Sequence, residues 1–135
     1  MAMSGFLIVN SAKQGVEEKH GFARTWALSP ENTGFENIRI CSGVIPPHTA
    51  TTPHWHTECE TAIYIIKGRV KVLIGRGLKE CYEAGPGYFI YVGKGVIHQT
   101  ITLDEPCEYV QVRDRAVEDA IEYDPELDND EVMVS

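Results

Sequence analysis

The sequence predicts an all-β fold, a sandwich or a barrel, on three observations. Short apolar or alternating runs recur about every eight to twelve residues. Glycine and proline turn signals separate them, and helix signals are almost absent. The chain has 135 residues and shows no internal repeat or low-complexity stretch. It is therefore read as a single domain over residues 1–113, large enough to bury a core, with an acidic tail over 114–135.

The strands follow in order. Phe22 to Leu28 and Asn37 to Ile45 are the first two runs, and Thr51 to His56 the third. Thr61 to Ile66 and Arg69 to Ile74 flank Lys67-Gly68, a tight hairpin turn. Gly75-Arg76-Gly77 leads into Lys79 to Glu83, Gly85-Pro86-Gly87 into Tyr88 to Val92, and Gly93-Lys94-Gly95 into Ile97 to Thr102. Each turn offers positive-φ positions that a side chain with a Cβ disfavours. Glu108 to Arg113 closes the series, and Ala116 to Tyr123 fits either a short helix or an edge strand. The paired glycines at 75 and 77, and at 85 and 87, precede strands rather than helices, so a phosphate-loop reading fails on context.

The formal net charge of −8 is unevenly placed. From Asp114 onward nine acids face Arg115 alone, which accounts for the whole imbalance, and the residues before them are neutral in sum. An acidic, proline-interrupted segment of this kind is expected to be solvated, and it argues against nucleic acid or an anionic membrane as partner. Phe6 to Val9 is too short for a signal sequence and lacks a basic flank, and no run approaches a membrane span. Cys41, Cys59, Cys81 and Cys107 are spread along the chain without a C-x-x-C pair, so they are read as reduced thiols of a cytoplasmic protein.

His54 and His56 stand at i and i+2, so in a strand both imidazoles point to one face. Glu60 has the same parity and would add a hard oxygen ligand, while His98 must arrive from another strand. Trp55 and Cys59 are turned to the opposite face. Tyr64, Tyr91, Arg39 and Gln111 are candidates for lining a lumen, and His48 reads as a loop histidine near its mouth.

From about Ile45 to Arg113 the residues resemble the cupin family through two motifs. The first, a glycine, H-x-H, a glutamate and a second glycine, reads here His48, His54-Trp55-His56, Glu60 and Gly68. The second, a glycine, P-x-G, a histidine and an asparagine, reads Gly87, Gly93-Lys94-Gly95, His98 and Thr102. Glu60 stands one residue early, because strict spacing lands on Thr61; a β-bulge after Glu60 would reconcile the two. Without it the ligands would be three histidines and water, or Glu58 would serve.

The resemblance implies a double-stranded β-helix, a jelly-roll barrel with a metal in its lumen, and a homodimer. His54, His56, Glu60 and His98 would hold a divalent transition metal, iron, manganese, nickel or zinc, with positions left open. The first expectation is a metal-dependent enzyme on a small oxygen-rich molecule, of dioxygenase, isomerase or lyase type, with Tyr64 as proton donor. The second is a small-molecule binding or sensor module that turns nothing over.

Overall fold

Alternation along each strand sends one set of side chains inward and the other to solvent, and this sorting builds the barrel. The computed structural model describes residues 5–19, 22–114 and 119–127. The start at Met1 to Met3, His20, Ala116 to Glu118 and the acids Asp128, Asp130 and Glu131 lie outside those residues. The described strands are β1 (Glu17–Lys19), β2 (Phe22–Leu28), β3 (Arg39–Ile45), β4 (His54–His56), β5 (Thr61–Lys67), β6 (Val70–Ile74), β7 (Glu80–Ala84), β8 (Phe89–Val92), β9 (His98–Thr102), β10 (Cys107–Arg113) and β11 (Ala120–Glu122).

They form two antiparallel sheets, a six-stranded one in the order β1-β2-β3-β10-β5-β8 and a five-stranded one in the order β11-β4-β9-β6-β7. This is the expected jelly roll, in which strands distant in sequence become neighbours. β1 and a single helical turn, α1 (Pro30–Thr33), are additions to the expected elements. The turn follows from Ser29-Pro30-Glu31-Asn32: the Ser29 N–H donates to Asn32 Oδ1, proline occupies the first helical position, and Gly34 ends the turn at φ +79°. β11 realises the edge-strand alternative for the segment ending at Tyr123, and it pairs with β4.

The core lies between the sheets and comprises Cys41, Ile45, Ile65, Val70, Val72, Ala84, Cys107 and Tyr109. Tyr109 packs edge-on against Phe22 and lies across Gly43, where an added Cβ would stand 2.7 Å from the phenol oxygen. Only glycine fits at that crossing. Gly68, at φ +87°, turns the β5–β6 hairpin against the Pro106 carbonyl, so a Cβ there would be both strained and obstructed. Thr102, 1% exposed, donates to the Pro46 carbonyl at 2.6 Å and accepts from the Thr49 N–H at 2.8 Å. It pins the loop that leads into β4.

Outside, the six-stranded sheet presents Tyr64, Ile66, Phe89, Tyr91 and Val112 to solvent. No helix among the described residues is long and apolar enough to cross a membrane.

Candidate metal centre

β4 and β9 meet at one register pair, His54 opposite His98, and alternation within β4 carries His56 to the same face. The three rings gather, with centroids 4.3 Å apart for His54 and His98, 4.9 Å for His54 and His56, and 5.8 Å for His56 and His98. One ligand-capable atom from each lies within 4.8 Å of the other two. These three residues could hold a metal ion.

The second nitrogen of each ring is already engaged. His54 Nδ1 meets the Thr52 carbonyl at 2.7 Å, His98 Nδ1 the Val96 carbonyl at 2.9 Å, and His56 Nδ1 the Asp119 carboxylate at 2.9 Å. Each partner is an acceptor, so Nδ1 carries the proton and the Nε2 lone pair remains for a ligand. This is the outer shell that orients metal-binding imidazoles. Burial, reinforced by the neighbouring His54, pushes the His98 imidazole down to about 4 and keeps it neutral, the form that ligates.

Asp119, 8% exposed, precedes β11 and is the residue that sequence reasoning left among the solvated acids. Its Oδ1 accepts from His56, and its Oδ2 accepts from the N–H groups of Glu58 and Cys59 at 2.7 and 2.8 Å. Burial alone would raise its pKa. Those hydrogen bonds outweigh burial and hold the carboxyl well below its ordinary range. Cys59 is fully buried outside the histidine cluster, its thiol pushed up to about 11 by burial and then by the hydrogen bond and charge of Asp119.

Glu60 does not join the histidines. β5 begins at Thr61, and Thr61, Ile63 and Ile65 face the cavity, which places Glu60 outside. Its carboxylate is exposed and accepts a hydrogen bond from Tyr91 at 2.6 Å, while its N–H donates to Asp114. The bulge expected after Glu60 lies instead at the far end of β5, where Ile66 is the extra residue against Glu108 and Tyr109. Thr61 thus occupies the position of strict motif spacing. Glu58 is exposed and also stands outside the cluster.

Tyr64 is displaced by the same alternation. Its ring lies tilted against Phe89, centroids 4.7 Å apart, on the outer face of the sheet, across β5 from the cavity. Tyr91 is outside as well, and His48 is an exposed loop residue at φ +52°, 3.4 Å from Asp104. Gln111 does line the cavity. So do Arg113 and Thr61, which strand parity shared with Gln111 and Ile63 would have revealed.

The cavity offers about 70 Å³ to the centre of a water-sized sphere, room for roughly half a dozen waters. Ile63, Ile65 and Ile90 form an apolar side, and the histidines with Thr61, Gln111 and Arg113 a polar one. No carboxylate lines it among the described residues. Thr61 Oγ1 and Arg113 Nε and Nη1 are buried with no hydrogen-bond partner there.

A jelly roll whose lumen gathers three preset imidazoles defines a small barrel with a metal-capable site. The family model described as a cupin domain matches residues 43–113, just over half the chain, and the protein belongs to that family. No curated protein matches it. Among solved structures, a mutant of Bacillus subtilis oxalate decarboxylase OxdC is similar at TM-score 0.70 and 21% identity, over 88% of this chain and 34% of that one. The chain thus spans about a third of that protein. The polyketide cyclase RemF from Streptomyces resistomycificus gives TM-score 0.66 and 23% identity over 89% of each chain. KdgF from Halomonas sp. gives 0.67 and 13% over 80% of this chain and 94% of its own.

Proposed function

We propose that the protein is a metal-dependent cupin enzyme acting on a small oxygen-rich molecule, with His54, His56 and His98 as its metal ligands. The observation that carries this is the arrangement of the three rings, each with Nδ1 on an acceptor and with one ligand-capable atom from each within 4.8 Å of the other two. Three neutral nitrogens and no protein carboxylate suit zinc, nickel or iron better than manganese, which favours oxygen ligands. A divalent ion there would supply Lewis-acid polarisation of a bound carbonyl or enediol and, if redox-active, a site for dioxygen chemistry.

The chain's own contribution is to orient the imidazoles, to keep His98 neutral and to enclose the reactant between the two sheets. Dioxygenase, isomerase and lyase chemistry all fit this frame. The lack of a lining carboxylate among the described residues favours, as a second reading, a module that binds its ligand without turnover. The four cysteines, all outside disulfides, support a reducing compartment, the cytoplasm, and a homodimer is the assembly we propose.

Elemental analysis of protein purified without added metal, followed by assay of the loaded protein on diketones, hydroxy acids and catechols with oxygen uptake recorded, tests the reading. Metal at one per chain and a product, both lost in His98→Ala with the fold retained, are the expected results. Thermal stabilisation by a panel member without product selects the binding module. Protein that takes up no transition metal removes the proposal.

A further inference from the structure

We infer that the cavity wall beside the histidines is an anion subsite, and that the molecule bound there is a small carboxylate held by Arg113 and Thr61. This rests on the metal-site reading above and names the chemical class of its ligand.

The register carries the argument. Arg113 of β10 stands directly opposite Arg39 of β3 on one side and Thr61 of β5 on the other. Cross-strand partners share a face, so Arg39, Arg113 and Thr61 all project from the inner face of the sheet, and Arg113 and Thr61 line the cavity itself. Like charges in that position repel, and burial strengthens the repulsion. Arg113 is only 4% exposed.

Their described surroundings do not neutralise them. Glu17 is engaged by Arg24 at 2.9 Å and by the Trp26 indole at 2.6 Å. Trp26 lies beneath Arg39 at 3.9 Å and within 5.8 Å of Arg113, which eases the burial of both cations without cancelling their charge. Arg39 Nε, Arg113 Nε and Nη1, and Thr61 Oγ1 are all buried without a hydrogen-bond partner among the described residues. Buried donors in such number are ordinarily satisfied, and charge-assisted hydrogen bonds from guanidinium N–H groups to carboxylate oxygens are among the strongest that could satisfy them.

Thr61 sharpens the point. It occupies the position where the motif spacing calls for glutamate, so this chain places a hydroxyl where a negative charge would otherwise balance the metal. A divalent ion on three neutral imidazoles would keep its full charge, in a cavity that Arg113 also lines. The ligand must bring the anion. The cavity volume limits it to a few carbon atoms, and Ile63 and Ile90 accommodate its methylene or methyl portion.

Malonate is the probe, with malonamide as its neutral counterpart, titrated by calorimetry into the protein as purified and after chelator treatment. Malonate should bind both forms and malonamide roughly tenfold or more weakly. Arg113→Gln should weaken malonate by a similar factor while elemental analysis shows its metal unchanged. His98→Ala should lose metal yet retain malonate binding, which separates failure of the metal reading from failure of the subsite. The subsite is overturned if malonamide binds as tightly as malonate, if wild-type protein binds neither, or if Arg113→Gln binds malonate as wild type does. Should Arg113→Gln not fold, the malonate and malonamide comparison on wild-type protein decides.

Discussion

Asp119 is tied to the His56 ring and to two backbone N–H groups at once, and its substitution separates their roles. In Asp119→Asn one oxygen can still accept from His56, but the amide NH₂ then faces the N–H groups of Glu58 and Cys59, both donors. Metal affinity is expected to fall about 10- to 100-fold, measured by competition with a chromophoric chelator. Unchanged affinity would refute an orienting role for the carboxylate. His98 sets a pH dependence. The folded protein keeps it neutral to about 4, whereas an unfolded imidazole protonates near 6.5, so between these values the unfolded chain binds the extra proton. Stability is full above 6.5 and falls as the pH drops toward 4. Metal-free protein should lose roughly 2 kcal/mol between about pH 7 and 5 in urea titrations, and His98→Gln should flatten that slope. The histidine pair was legible because period-two alternation is local. Asp119 was not, since it sits 63 residues from His56 within a run of acids that look alike in sequence.

At the scale of elements, β11 and β5 decide the site. β11 pairs with β4 in register Ala120 opposite His56, and the Tyr123 hydroxyl accepts from the Gly77 N–H at 2.5 Å, anchoring the strand at its far end. A chain truncated after Asp114 removes β11 and Asp119 together. It should bind metal more weakly than Asp119→Asn, as read by the same chelator competition; equal affinities would leave β11 without a role. The β5–β6 hairpin makes a separate prediction. Gly68→Ala forces a Cβ into positive φ and against the Pro106 carbonyl, and should cost about 1–3 kcal/mol in urea midpoint stability. Most strands were readable from turn signals to within a residue or two. The start of β5 at Thr61 was among them, but the position of its bulge was not, and that one residue decides whether Glu60 or Thr61 faces inward. Arg113 was visible as the end of a strand, but its meeting with Arg39 and Thr61 depends on non-local register.

On the scale of the molecule, charge is arranged in opposition to its total. The acids that give the net −8 concentrate from Asp114 onward, whereas Arg24, Arg39 and Arg113 surround Trp26 on the inner face of the six-stranded sheet. Outside, Phe89 at 79% exposure and Tyr91 at 66% leave an apolar stretch on the edge of the same sheet. A homodimer is the proposed assembly, and light scattering after size-exclusion chromatography should return twice the chain mass; a single-chain mass would refute it. The order in which the site is made follows from Asp119. A ribosome adds His54, His56 and His98 before it reaches the residue that fixes the proton on His56. The His56 ring is therefore fixed only once the segment bearing Asp119 has been made and β11 has paired with β4.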